Sequence, residues 1–592
     1  MEQSKPSSRL SRARKLVHGR KLDLSKHRSD HSSRSHHHRE GEEEPEFDMA
    51  TATRTWCIAT VSIGAILSLF CLISGTYILK TNPAKLGAFL SISSKGKEAL
   101  ALVINFALTL CIDGMMFVHS VSLRWTLYHE GRLEYNTNIR LFTSSKTVGP
   151  NRWYINVVAL FFLVLSYGSS SVLFLSDETT LFSEMGDHGI PVMVNATALV
   201  GLGLGLAGQA AVAGWCLASG CKLVPTWSSN PLNTTLAAIR KGNFAHRPGR
   251  CMLSVHQKYL RPNQGVYPAE KQGSILQIQR SVRYILALLW ALVILAIAWT
   301  VAMVTVSMSY GNQYAPIEGV TEPLPCWRFG INWNPDLSVC SINVVTLVMS
   351  QSGNTYKPNS ATISYGAGAV LCVLFVCLVQ SSQTIGLHCV ELLVNLSRDE
   401  GAWRQAYGEK KQEAPGAQLS TNPFRAALSS WENIFLFVAK ATLHWVMGQS
   451  MFASVIFGDE TPGNNATSSP SSFMVAMIYS RLFIFSILAL FLAIFATYLA
   501  LKRSRGCQPA TLGHLQTLAD LIDDWKTDKN GRIWWGDKTR LLEADGGLRH
   551  AGTSWDKKTL SPVCTVARYA GARTESELKI GSVSYRTNNG KA

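Results

Sequence analysis

Residues 102–125 read LVINFALTLCIDGMMFVHSVSLRW. The run has the length and apolarity of a helix crossing a bilayer core of about 30 Å at 1.5 Å per residue. Asp113 lies near its middle. A carboxylate facing lipid there costs about 2.5–3.5 kcal/mol on the most lenient insertion scale. Asn105, Thr109 and Asp113 follow at a spacing of four, and Ser120 and Arg124 return to the same side. On a helix these residues form one polar stripe, which must face a bundle interior or a wet cavity.

Similar apolar runs recur along the 592 residues, of which 47% are hydrophobic and 16% charged. A soluble chain carries about a quarter charged residues. The composition therefore indicates an all-α, polytopic transmembrane bundle. About eight spans are expected, near 55–79, 99–123, 153–175, 190–217, 284–309, 362–387, 433–456 and 473–501. The seventh is marginal, because it contains Lys440 and His444.

Loop charge argues for keeping it. Lys and Arg crowd the segments 126–152, 218–283 and 391–431, whereas 176–189 and 458–472 contain none. This alternation is the positive-inside pattern. It predicts two cytosolic tails and an even number of spans, in the plasma membrane or an endomembrane. The first outer loop, with Lys80, Lys85, Lys95 and Lys97, fits poorly. The net charge of +17 sits in the tails and alternate loops. No basic face is interleaved with stacking aromatics, so nucleic acid is excluded as the expected partner. The expected environment is the lipid bilayer.

Residues 1–54 are rich in Ser, Arg and His and too polar to form a core, so a disordered cytosolic tail is expected. The cytosolic tail 502–592 is expected to carry an amphipathic helix at about 511–526. Leu515, Leu518, Ile522 and Trp525 share its face. Three aspartates beside that face favour docking on protein over an anionic lipid surface. Beyond residue 550 the tail reads as extended.

Other features are local. Cys326 and Cys340 lie in the largest outer loop, where a disulfide would add about 3 kcal/mol. Asn465 begins a glycosylation sequon in an outer loop. The stretch DKNGRIWWGD (528–537) imitates a calcium loop, but Lys526 stands where the first carboxylate belongs. A tight Asn-Gly turn anchored by Trp534 and Trp535 is expected instead. GLGLGLAG (201–208) lies inside a span and is read as a close helix contact of small residues. No P-loop, HExxH, nucleophile elbow or Rossmann fingerprint is present, so no cofactor, metal or catalytic residue is expected.

The marginal span carries its own stripe of Asn433, Lys440 and His444. Asp113 lies roughly 16 Å along its helix from Arg124, and Lys440 roughly 12 Å from Glu432. The long Lys stem covers the difference. Asp113 and Lys440 are expected to pair inside the bundle, with His444 one turn away. The pair is either a latch between helices or a functional ion or proton site. A transporter- or channel-like protein acting on a small solute or ion is one reading. A membrane scaffold or sensor, with cytosolic protein partners for its C-terminal tail, is the second, and an intramembrane enzyme, for which no nucleophile or metal set is visible, is the third.

PTWSSNPLNTTLA (225–237), HLQTLADLIDDW (514–525), IWWGDK (533–538) and RHAGTS (549–554) together resemble multi-pass membrane proteins of filamentous fungi whose activity is unassigned. The resemblance implies a fungal origin and a multi-span fold. It transfers no activity and no site residue.

Overall fold

The computed structural model describes residues 46–83, 86–92, 94–177, 191–220, 223–259, 265–311, 341–348, 365–408, 414–420, 430–457, 470–539 and 548–570. The readings of residues 1–45, Cys326, Cys340 and Asn465 fall outside them. The chain is mostly helical. Seven described helices are long and apolar enough to cross a membrane. They are α1 (Thr51–Thr81), α2 (Ser94–His129), α3 (Trp153–Ser171), α4 (Ala196–Gly220), α6 (Arg280–Gly311), α7 (Tyr365–Arg404) and α9 (Tyr479–Leu501). They mark an integral, multi-pass membrane protein. The short α5 (Pro231–Arg240) lies outside this set.

An eighth helix, α8 (Trp431–Ser450), packs beside α2, α7 and α9. At helical rise it is roughly 30 Å long, the thickness of the hydrocarbon core. Its polar residues keep it out of those seven, yet Lys440 and His444 are buried.

The helices pack through small residues. On α4, the backbone at Gly203 approaches Leu72 of α1, and Gly201 and Gly205 face Ser169 and Ser166 of α3. Ser68 donates to the Gly203 carbonyl at 2.8 Å, and Gln209 to that of Ala159 at 2.6 Å. In a lipid-surrounded bundle such close backbone approach replaces the hydrophobic drive available in water.

The expectation of an all-α fold needs correction. One end of the bundle carries a six-stranded sheet, ordered β1 (Gly87–Ser91), β3 (Pro191–Asn195), β2 (Phe174–Asp177), β7 (Met451–Phe457), β8 (Pro470–Ile478), β5 (Ser341–Val348). All neighbours are antiparallel except β2 and β7. The expected spans 153–175, 190–217, 433–456 and 473–501 each ran a helix into one of these strands. Apolar strands such as MFASVIF prolong the hydropathy of the adjoining helix, and hydropathy does not separate the two. The expected span 362–387 is too short for the opposite reason. Helix α7 continues to Arg404, carrying charged residues beyond the apolar run.

The other end of the bundle carries a module built from three inter-helix segments and the C-terminal tail. Its core includes Leu232, Leu236, Trp403, Leu518, Ile533, Trp535 and Tyr569. Two short sheets belong to this end: β4 (Lys271–Ser274) with β9 (Arg503–Arg505), and β6 (Ala417–Gln418), β10 (Arg532–Asp537) and β11 (Ala551–Ser554) in the order β11-β10-β6. The tail docks by named bonds. Glu400 accepts the backbone N–H groups of Thr511 and Leu512, both at 2.8 Å. Leu512 has φ +49°, a left-handed conformation that Glu400 and the following Gly513 stabilise. Trp403 Nε1 donates to the Pro509 carbonyl at 2.9 Å.

Here two further expectations change. Helix α10 spans only Leu515–Leu521, not 511–526. His514 caps its start, and just past its end Asp523 is drawn away to bind Thr553 N–H at 2.7 Å. Over the described residues 551–570 the chain is not extended coil: β11 pairs with β10, and the buried Tyr569 donates to Asp537 Oδ2 at 2.7 Å.

Candidate functional site

Helices α2, α7 and α8 each contribute one charged side chain to a single cluster. Lys440 Nζ donates to Asp113 Oδ1 at 2.9 Å and Oδ2 at 3.1 Å. It also donates to Glu391 Oε1. His388, one turn before Glu391 on α7, contacts the same Oε1 through Nδ1 at 2.9 Å. Lys440 is 3% exposed, whereas Asp113 and Glu391 retain 28% and 31%. The ammonium is sealed in, whereas the two acidic side chains are half-buried.

Two carboxylates against one ammonium leave one net negative charge. A buried ion pair is tolerated only when its remaining lone pairs and protons are satisfied. His388 satisfies part of Glu391. The guanidinium of Arg140, buried between α2 and α3, lies within Coulombic reach of both Glu391 and Asp113.

Towards the sheet, the polar groups continue. The His444 ring stacks on Tyr167 with centroids 3.6 Å apart and planes 2° from parallel. Its Nδ1 pairs with Gln380 Oε1 at 3.1 Å, and Gln380 Nε2 donates to Ser171 Oγ at 2.5 Å. Tyr167 OH reaches Thr109 Oγ1 at 3.5 Å, and Ser170 Oγ reaches Asn105 Oδ1 at 3.5 Å. Beyond these, Arg481 joins Gln449 at 2.9 Å and Glu98 at 3.3 Å. Towards the module, Arg140 Nη1 meets His119 Nδ1 at 3.5 Å. From Glu98 to His119 the file follows α2 over roughly 30 Å. The Nε2 atoms of His119, His388 and His444 are buried and have no hydrogen-bond partner among the described residues.

The structure thus brings Asp113, Lys440, His444, Thr109 and Asn105 into one region. Thr109 and Asn105 also donate to carbonyls one turn back on α2, at 2.7 and 2.9 Å. Ser120 is half-buried and makes no hydrogen bond to the cluster among the described residues. Arg124 belongs to the module instead, donating to the Ser228 carbonyl at 2.8 Å. Glu391 and His388 were not anticipated, because the expected sixth span stopped at residue 387. Their signal was present as Gln380, Thr384, His388 and Glu391, a stripe at helical spacing.

Ligand atoms of Asp113, His388 and Glu391 lie within 4.8 Å of one another. One imidazole and two carboxylates suit a divalent transition metal. The ammonium of Lys440 already bridges the two carboxylates of that set. The site is chemically a cation site whose resident cation is tethered to the chain.

Comparison of the chain with protein-family models, curated proteins and solved structures returned no match.

Proposed function

We propose that the protein is a cation- or proton-coupled transporter or channel-like protein, with Lys440 as a tethered competitor for the transported charge. The observation that carries this reading is the sharing of one sealed ammonium by two part-exposed carboxylates on different helices. A latch alone needs one carboxylate; the second makes a place from which a cation is displaced and regained. The polar file and its three imidazoles support passage of a proton or small cation. In this reading α8 is an eighth span and the module and both termini are cytosolic, in keeping with the positive-inside pattern. The resemblance to fungal multi-pass proteins supports a fungal membrane as the setting.

Protein in liposomes holding a pH-sensitive dye tests this. Wild type should dissipate an imposed cation or proton gradient, and Asp113→Asn and Glu391→Gln should each slow the flux at least about tenfold, the loss expected when a charged ligand of a buried cation is removed. Wild-type protein that dissipates no cation or proton gradient overturns the proposal.

The second reading, a membrane scaffold or sensor, is supported by the module itself. Two inter-helix segments share one core with the tail there, and a third, at 130–152, is hydrogen-bonded to the tail backbone. Selective binding of a cytosolic protein to that module, in a protein without flux, would favour it.

A further inference from the structure

The module bears an open cavity of about 770 Å³ between the turn at 526–529 and the turn at 555–558. Four lysines line it, Lys526, Lys529, Lys557 and Lys558, together with the indoles of Trp534 and Trp555. All four lysines are exposed, and none is ion-paired among the described residues. Asp528 and Asp556 also line it, each with one carboxylate oxygen engaged by the backbone. Asp528 Oδ1 accepts the N–H groups of Asn530 and Arg532 at 2.9 and 2.7 Å. Asp556 Oδ1 accepts that of Lys558 at 3.0 Å. These bonds fix the two turns that present the ammonium groups.

The Trp534 indole is held in place. Trp534 Nε1 donates to the Ala414 carbonyl at 3.2 Å, and the backbone of Gly416 lies against its ring. Trp555 is 45% exposed, with Lys526 Nζ 5.3 Å from its ring centre. A cavity of this size fits a small organic ligand. Lysine ammonium groups are mobile point charges suited to phosphate, and an exposed indole offers a stacking face to any planar base.

We propose that this cavity binds a nucleoside polyphosphate, with the phosphates among the four lysines and the base on Trp555. An inositol-phosphate headgroup shares the phosphate chemistry but does not need the indole face. The site lies apart from the intramembrane cluster and does not depend on its role.

Isothermal titration of the full-length protein in detergent micelles, with ATP, tripolyphosphate and soluble inositol trisphosphate, tests the assignment. ATP should bind saturably. The exposed double variant Lys557→Glu/Lys558→Glu should weaken ATP about tenfold or more and flatten its salt dependence. The milder Lys557→Gln/Lys558→Gln should weaken it in the same direction, with an unchanged melting curve. Trp555→Ala should weaken ATP about tenfold while leaving tripolyphosphate unchanged, since only the base loses its platform. ATP binding that is absent, or equal in wild type and variants, overturns the site. Inositol trisphosphate binding as tightly as ATP and indifferent to Trp555→Ala assigns the cavity to a lipid headgroup and overturns the nucleotide.

Discussion

Lys440 is the residue on which the bundle's charge balance turns. Its ammonium holds Asp113 and Glu391 at once. Lys440→Met leaves two carboxylates facing each other, and breaking a buried pair from one side costs about 3–5 kcal/mol. A lowered melting temperature in detergent is expected. Added Mn²⁺ or Zn²⁺ should restore part of it, by filling the Asp113–His388–Glu391 set, and the additional change His388→Ala should remove the recovery. In the module, His550 Nε2 meets Asp523 Oδ2 at 2.8 Å, and Lys538 Nζ reaches the same oxygen at 3.0 Å. Burial alone would lower His550, but its interactions with Asp523 and Cys251 prevail and raise it from 6.5 to about 9. The folded state therefore holds the proton more tightly than the unfolded one. Its stabilising contribution is complete below pH 6.5 and is lost as pH rises through about 9. Thermal melts of wild type across that interval should show a fall that His550→Asn largely removes. Asp113 was legible from sequence because a carboxylate in an apolar run is anomalous wherever it sits. Glu391 was not, because its charge lay where the hydropathy had already fallen.

At the scale of elements, small residues decide how closely the helices approach. A side chain on Gly203 would bring its Cβ to 2.8 Å from Leu72 Cγ and 3.0 Å from the Leu72 backbone nitrogen. Gly203→Val should separate α1 from α4 at a cost of about 1–3 kcal/mol, read as a lower melting temperature. Gly214→Ala meets open space and should leave the melting temperature unchanged or slightly raised. Helix positions were readable from sequence because their apolar runs are long. Helix ends were not. The runs ending in Ser450 and beginning at Tyr479 are continuous in hydropathy with β7 and β8, and only pairing with other strands turns those residues into a sheet. The amphipathic helix in the tail was overestimated for a related reason: Asp523 makes stronger bonds across the module than it would on a helix surface.

For the whole molecule, the tail is a structural part of the module. Ending the chain at Leu501 strips the cover from Leu232, Leu236 and Trp403. Limited trypsin digestion should then cut within 241–279 far faster than in wild type. Equal digestion rates would mean that the tail does not hold those loops. The sequence by itself determined that this is a multi-pass membrane protein with a charged centre, since lipid demands long apolar helices and makes every buried charge conspicuous. Tertiary structure alone decided the sheet, the three-segment module and the two-carboxylate site. Each of these joins residues distant in sequence, and such pairings leave no periodic trace in any one segment. Whether Lys440 meets one carboxylate or two depends on where α7 passes, and only the packed bundle fixes that path.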